Sequence, residues 1–340
     1  MRGQWEWWRR GKIGLAMVAL LSACLPQSTT YAQTAEVHLG RGNSLYGKGD
    51  MAGARDAFSK AIELDPRNAL AYTNRGAVRY QQGDLEGAIA DQTRAIELDP
   101  RLAEAYQNRG VARLAKMDGE AAIADHTKAI ELKPKYADAY NSRGLARMNK
   151  RDIEGALADI NQALKLNPSF SQAYANRAAV LLDKGNIEES LKDSTKAVDL
   201  NPRLAEAYNI RGRGLAQIGQ TKKALEDFTK AIEINPRQAL AHLNRGILRV
   251  AGKDFAGGLT DLKLAVELVP SLIASAKPWI DKAELELPGT MQASQQVAQP
   301  LAQAPAPAPP STSVAPPPPP LACPCGCAQA GLGDRQRRIP

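Results

Sequence analysis

Between residues 35 and 272, small and apolar side chains return at spacings that collect on one stripe of an α-helix. The same stripe is then written again and again. Alanine or another small residue stands at 54, 88, 122, 156, 190, 224 and 258, and alanine at 61, 95, 129, 163, 197, 231 and 265. An aliphatic residue follows each of those alanines directly, from Ile62 to Val266, and another comes two residues later, from Leu64 to Leu268. Prolines close each cycle at Pro66, Pro100, Pro134, Pro168, Pro202, Pro236 and Pro270, one every 34 residues. Proline cannot continue a helix, and it restricts the residue before it. Each period therefore predicts two helices, A and B. The turn between them is signalled by Gly49-Asp50, Gly83-Asp84 and Gly185-Asn186, a glycine for a left-handed cap followed by a capping side chain.

With each proline set as position 32, the seven repeats run 35–68, 69–102, 103–136, 137–170, 171–204, 205–238 and 239–272. Small residues at positions 8 and 20 predict close approach of helix A to helix B, and alanine at 27 predicts the same toward the neighbouring repeat. Aromatic residues make up only 5% of the chain, which suits closely packed helices better than a β-sandwich.

The repeat length, tyrosine at position 4, glycine at 8, alanine at 20 and 27 and proline at 32 resemble the tetratricopeptide repeat family, over about two-thirds of the chain. The resemblance implies an all-α fold, a right-handed α-solenoid of seven helix-turn-helix repeats. Residues 273–287 then form a capping helix, with Trp279 and Ile280 over the last apolar face. It also implies a protein or peptide partner held in the concave groove lined by the A helices.

One position departs from the family. Where the family favours leucine at position 7, this chain has Arg41, Arg75, Arg109, Arg143, Arg177, Arg211 and Arg245. A buried arginine needs a partner, and a carboxylate recurs with the same period at position 23: Asp91, Asp125, Asp159, Asp193, Asp227 and Asp261. The first repeat has Ala57 there, with Asp56 adjacent. The pattern predicts structural Arg–Asp pairs stapling helix A to helix B, within or between repeats. Arginine's planar fork suits a shared carboxylate.

Positions 2, 5, 6, 9, 12 and 13 share the other face of helix A. Amides and one cation collect there: Asn43, Asn74, Gln81, Asn108, Asn141, Asn176, Asn209, Arg213 and Asn244. Because an amide both donates and accepts, a row of them can hold the backbone of an extended peptide with little regard for its sequence. Some family members grip a terminal carboxylate with Lys and Arg at positions 2 and 6 of a third repeat. Here those positions are Glu104 and Asn108, so that clamp is incomplete. Glu36, Glu104, Asp138 and Glu206 at position 2 favour a basic or neutral ligand.

Two segments lie outside the period. A charged lead, Trp5 to Lys12, precedes an apolar run of thirteen residues ending at Leu25, the pattern of an export signal rather than a membrane span. Two processing routes are open. Cleavage after Ala32 would leave Gln33 first. Alternatively, Leu21-Ser22-Ala23-Cys24 resembles a bacterial lipobox, which would anchor the chain to the envelope membrane through a lipid on Cys24. At the other end, residues 288–340 are rich in alanine and proline, cannot bury a core, and are expected to be disordered. They carry Cys323, Cys325 and Cys327, a thiol cluster that could take a soft metal or exchange disulfides.

The net charge is +8, but both signs are interspersed along the repeats, which argues against a nucleic-acid stripe. His38, His126 and His242 are isolated from one another, and no phosphate loop or paired metal ligands occur. The sequence reads as a scaffold or adaptor in the bacterial envelope, not an enzyme, with no cofactor. A metal or thiol-redox carrier acting through the cysteine cluster is the alternative.

Overall fold

The computed structural model describes residues 34–287. Those residues are helical throughout apart from short turns. The first helix, α1, covers residues 34–47. It is followed by α2 (Met51–Leu64), α3 (Ala69–Gln81), α4 (Leu85–Leu98), α5 (Ala103–Ala115), α6 (Gly119–Leu132) and α7 (Ala137–Asn149). Next come α8 (Ile153–Leu166), α9 (Ser171–Asp183), α10 (Ile187–Leu200), α11 (Ala205–Gln217), α12 (Thr221–Ile234), α13 (Ala239–Ala251) and α14 (Phe255–Leu268). A short 3-10 turn, Pro270–Leu272, leads into α15 (Ile273–Glu286). Odd-numbered helices up to α13 are the A helices, and even-numbered ones the B helices. From α3 onward every A helix starts on the first residue of its 34-residue period.

The described residues divide into two compact units, 34–142 and 143–287, and the division falls within α7. In the first unit α3 packs on α4 and α5 on α6, while α2 meets α3 and α4 meets α5. In the second, α9 packs on α10, α11 on α12 and α13 on α14, and α15 covers α14 and α13. There Trp279, Ile280 and Leu272 close over Val250, Leu262 and Ala265.

The hairpins are tight because of position 8. A β-carbon on Gly110 would lie 2.6 Å from His126 Cε1, and one on Gly212 would lie 2.7 Å from Phe228 Cε1. The opposing residue is always position 24. Only repeat 5 has alanine at position 8, Ala178, and only there is position 24 as small as serine, Ser194. Ser190 at position 20 adds a hydrogen bond to the Ala178 carbonyl (2.8 Å). Volume is therefore exchanged between the two helices within one repeat.

The A–B turns place position 15 in the left-handed region, with φ of 81° at Gly49, 82° at Gly83, 88° at Gly185 and 76° at Gly219. In three repeats a residue with a side chain takes that conformation: Met117 (φ 65°), Arg151 (66°) and Lys253 (69°). Asp50, Asp84, Asp118, Asp152 and Asp254 then cap the B helices, each accepting from a backbone N–H three residues on. Asn186 departs from expectation. It stands at the cap position without a capping bond, and its amide donates to Glu189 instead (3.4 Å). Met117 is 85% exposed, so burial of its side chain offsets little of the left-handed strain. Met117→Gly is therefore expected to stabilise the first unit by about 1 kcal/mol, measured as a higher urea midpoint with an unchanged slope.

Candidate partner-binding face

From the second repeat onward, position 7 and position 23 meet within the repeat. The Nε and Nη2 atoms of Arg75 donate to the two oxygens of Asp91 at 2.9 and 2.7 Å. The same two-pronged contact joins Arg109 to Asp125, Arg143 to Asp159, Arg177 to Asp193, Arg211 to Asp227 and Arg245 to Asp261. The guanidinium also lies over the position-4 ring, 5.5 Å from the Tyr72 centroid for Arg75 and 5.4 Å from that of Tyr208 for Arg211. In repeat 1, Asp56 lies beside Arg55 rather than Arg41, and Arg41 is exposed.

Two contacts have no counterpart in the sequence pattern. Position 11 supplies a second arginine to the same carboxylate in four repeats: Arg79 on Asp91, Arg113 on Asp125, Arg147 on Asp159 and Arg249 on Asp261, each at 2.8–2.9 Å. The remaining prong of the position-7 arginine reaches back to the preceding B helix. Arg75 Nη1 donates to Ser59, Arg109 to Thr93, Arg177 to Asn161 and Arg245 to Thr229. One side chain thus ties three helices.

In the last repeat, position 4 is His242 instead of tyrosine. Its Nδ1 lies 3.2 Å from Asp261 Oδ1, and its Nε2 lies 2.9 Å from the Pro236 carbonyl. Burial pushes the Asp261 carboxyl up. The hydrogen bonds from His242 and Arg245 and the charges of Arg245 and Arg249 outweigh it and hold the carboxyl at about 2, below the ordinary 3.8. A carboxyl lowered by folding stabilises the folded state above its unfolded pKa and ceases to do so as pH falls through the folded value. Between roughly pH 4 and pH 2, the Tm of the wild type is expected to fall more steeply than that of Asp261→Asn.

The opposite face of the A helices carries the amides. Several of these amides reach across to a neighbouring A helix or to side chains of their own helix. Asn74 donates to Asn43 (2.9 Å) and Asn244 to Asn209 (2.9 Å), each across to the preceding A helix. Gln81 donates to the Tyr46 hydroxyl. Asn108, Asn141, Asn176 and Asn209 are buried, and Asn176 accepts from Gln172 (3.3 Å). Arg213 is neutralised by Asp183 at 3.0 Å. Adjacent A helices, such as α3 and α5 or α9, α11 and α13, lie close enough for positions 5, 6 and 9 to reach their neighbours. Asn43 and Asn74, and Asn209 and Asn244, therefore pair with each other.

The acids at position 2 are also unequal. Glu36 and Glu206 are exposed, Glu104 is paired with Lys133 at 2.9 Å, and burial pushes the Asp138 carboxyl up. Beside them, Leu70 and Leu240 occupy the same position and remain about half exposed, at 51% and 50%. They are apolar and so carry no polar signature, but their register marks the same face. Cys24, Cys323, Cys325 and Cys327 lie outside the described residues. Among the described residues, no group of three or more His, Cys, Asp or Glu side chains could hold a metal ion. No described helix is long and apolar enough to cross a membrane.

Comparison with known proteins agrees with this architecture. Two stretches, 42–83 and 78–116, match a family model described as TPR repeat. Residues 205–238 and 141–205 each match a model described as tetratricopeptide repeat. No curated protein matches the sequence significantly. Among solved structures, a tetratricopeptide repeat protein from Parabacteroides merdae is similar at 21% identity and a TM-score of 0.58, covering 74% of this chain and 99% of its own. The Cut9-Hcn1 hetero-tetramer of APC/C is similar at 14% identity and a TM-score of 0.61, covering 69% of this chain and 48% of its own. Pseudomonas aeruginosa PilF is similar at 19% identity and a TM-score of 0.53, covering 66% of this chain and all of its own. At these identities the likeness concerns the fold. Helical hairpins repeating every 34 residues, three family matches and neighbours of the same architecture together make this chain a member of the tetratricopeptide repeat family, built as a protein-interaction scaffold.

Proposed function

We propose that the protein is an exported bacterial adaptor whose helix-A face binds an extended segment of another envelope protein. The observation that carries this reading is the pair Leu70 and Leu240. Each is a large apolar side chain left about half exposed at position 2, in a row otherwise occupied by acids and a glutamine. An apolar anchor among polar neighbours is what a peptide side chain docks on, while the rim supplies register. The charged lead and apolar run of the first 25 residues support export, and the Cys24 motif supports lipid anchoring.

A photocrosslinking residue in place of Leu70 or Leu240, in the full chain expressed in its host, is expected to capture a discrete envelope protein. The same residue at the exposed Lys60 or Lys230 on the B helices is expected to capture none. Crosslinks arising only from the B-helix positions would move the site to the other face. The anchoring step is tested separately. Wild type is expected to incorporate labelled fatty acid and Cys24→Ser to incorporate none, whereas a mature chain beginning at Gln33 would assign ordinary cleavage instead.

A further inference from the structure

The first repeat presents to solvent the side of its A helix that every later repeat buries. At position 3, Ala71, Ala105, Ala139, Ala173, Ala207 and Ala241 are each 0% exposed. Ala71 packs on Ala61 and Ile62 of the preceding B helix, at positions 27 and 28. Ala139 and Ala207 meet the same two positions of the B helices before them. Residues 1–33 do not carry the repeat pattern, and position 3 of the first repeat is Val37, larger than alanine and 69% exposed. Val37, Arg41, Ser44 and Lys48 follow one another at spacings of four, three and four, so they share one stripe of α1, and all four are exposed. The end of a repeat array that faces only water is expected to be polar, and a valine at its centre departs from that.

The two cations of this stripe have a defined use further along the chain. At position 14, Lys184 reaches Glu154 at position 18 of the preceding repeat (2.8 Å), and Lys116 reaches Glu86 in the same way. At position 7, Arg177 donates to Asn161 at position 25 of the preceding repeat (2.7 Å), and Arg109 to Thr93 (3.2 Å). An A helix thus reads the B helix before it through a glutamate and, two turns further along the same side, a hydroxyl or amide. Arg41 and Lys48 carry the reading half of that pattern, and among the described residues neither side chain has a partner. With Ala57 at position 23, the first repeat gives Arg41 no carboxylate of its own.

The chain does not supply the other half. Residues 1–33 hold one acid, Glu6, with Ile13 seven residues on, and residues 288–340 hold one, Asp334, beside Arg335. A second copy stacked end to end would bring its last B helix, which has Ala256 and Lys263 at positions 18 and 25. Lys263 is paired with Glu284 of α15 (2.9 Å), α15 packs on that helix, and a lysine there faces Arg41 with like charge. We propose that the stripe from Val37 to Lys48 docks a helix of another protein, antiparallel to α1. That helix carries a glutamate for Lys48 and, seven residues later, a Ser, Thr or Asn for Arg41. Alanine and an aliphatic residue, two and three positions further on, cover Val37. This surface is separate from the helix-A face on which the proposed function rests.

The test uses the full chain and a synthetic peptide copying residues 84–101, which carries Glu86, Thr93, Ala95 and Ile96 in the required register. A lactam staple across the exposed positions 90 and 94 holds it helical. The peptide is expected to shift the Val37 methyl and Arg41 Nε–H resonances and to leave those of Leu70 and Leu240 in place. Val37→Lys is expected to weaken binding roughly tenfold and Lys48→Glu roughly three- to tenfold. Neither is expected to change Tm, because both wild-type side chains are exposed. A peptide carrying Glu86→Lys is expected to bind the Lys48→Glu chain more tightly than it binds wild type, an exchange that only a direct pair produces. If the peptide shifts Leu70 or Leu240 instead, it occupies the helix-A face and the stripe is not the docking site. If no resonance on α1 moves, the proposal is overturned, while crosslinking at Leu70 and Leu240 still decides the helix-A reading separately. If Val37→Lys melts more than about 5 °C below wild type, the stripe is covered by the chain itself and the proposal is overturned. A wild-type dimer that Val37→Lys converts to monomer, seen by sedimentation, would give the stripe to a second copy and overturn it as well.

Discussion

Asp125→Ala is expected to destabilise the first unit by about 3–5 kcal/mol, the usual consequence of removing one member of a buried ion pair. The carboxylate is 5% exposed and holds two guanidinium groups, Arg109 by two prongs and Arg113 by a third bond. Without it, Arg109 keeps its bond to Thr93 and its place over the Tyr106 ring, and two cations face each other across the space left by one anion. Asp125→Asn keeps the shape and one acceptor, so its loss should be smaller but substantial. The comparison that isolates the second arginine is Asp227→Ala. Asp227 holds Arg211 alone and is slightly more open, at 10% exposure, and its loss should be the smaller of the two. Urea denaturation of the full chain, followed by helical circular dichroism, reads both. Equal and small losses at Asp125 and Asp227 would mean that the arginines snorkel to water at little cost.

The second large effect is expected at position 8. Gly212→Ala puts a methyl where Phe228 Cε1 lies 2.7 Å away. Phe228 is 1% exposed, so its ring is enclosed on all sides. Overpacking of this kind costs about 1–3 kcal/mol. Repeat 5 shows what relieves it, since Ala178 is tolerated opposite Ser194. Gly212→Ala should therefore cost much less in a background that already carries Phe228→Ser than it does in the wild type, although Phe228→Ser is destabilising by itself. The double-mutant cycle reads that difference directly. Additive losses would show that the two helices separate instead of clashing.

These two sites also mark how far the sequence could be read. The period, the helix starts and the pairing of position 7 with position 23 are written in residues that recur in nearly every repeat, so they survive without any knowledge of distance. Arg79, Arg113, Arg147 and Arg249 do not stand out in the sequence because position 11 is Leu181 in repeat 5 and Leu215 in repeat 6, and a broken series looks like ordinary surface charge. The amide face was legible as composition but not as chemistry. Whether Asn74 faces a ligand or Asn43 depends on the separation of two neighbouring A helices, and no single-chain pattern carries that separation. The left-handed turns at Met117, Arg151 and Lys253 were hidden for the opposite reason. The turn is imposed by the hairpin on both sides of it, and the local residue is forced to comply.

The backward reach of the position-7 arginines bears on the order in which the chain can assemble. Each repeat from the second onward supplies its own cation and its own anion, and the backward contacts of Arg75, Arg109, Arg177 and Arg245 need only a hydroxyl or amide, Ser59, Thr93, Asn161 or Thr229. The first repeat, with Ala57 where the others have aspartate and with Arg41 at the surface, has no buried charge waiting for a partner. A chain emerging from the ribosome amino end first can therefore lay down one hairpin at a time. No finished hairpin holds an uncompensated charge until a later one is made, and vectorial folding within each unit needs no step that runs against the direction of synthesis.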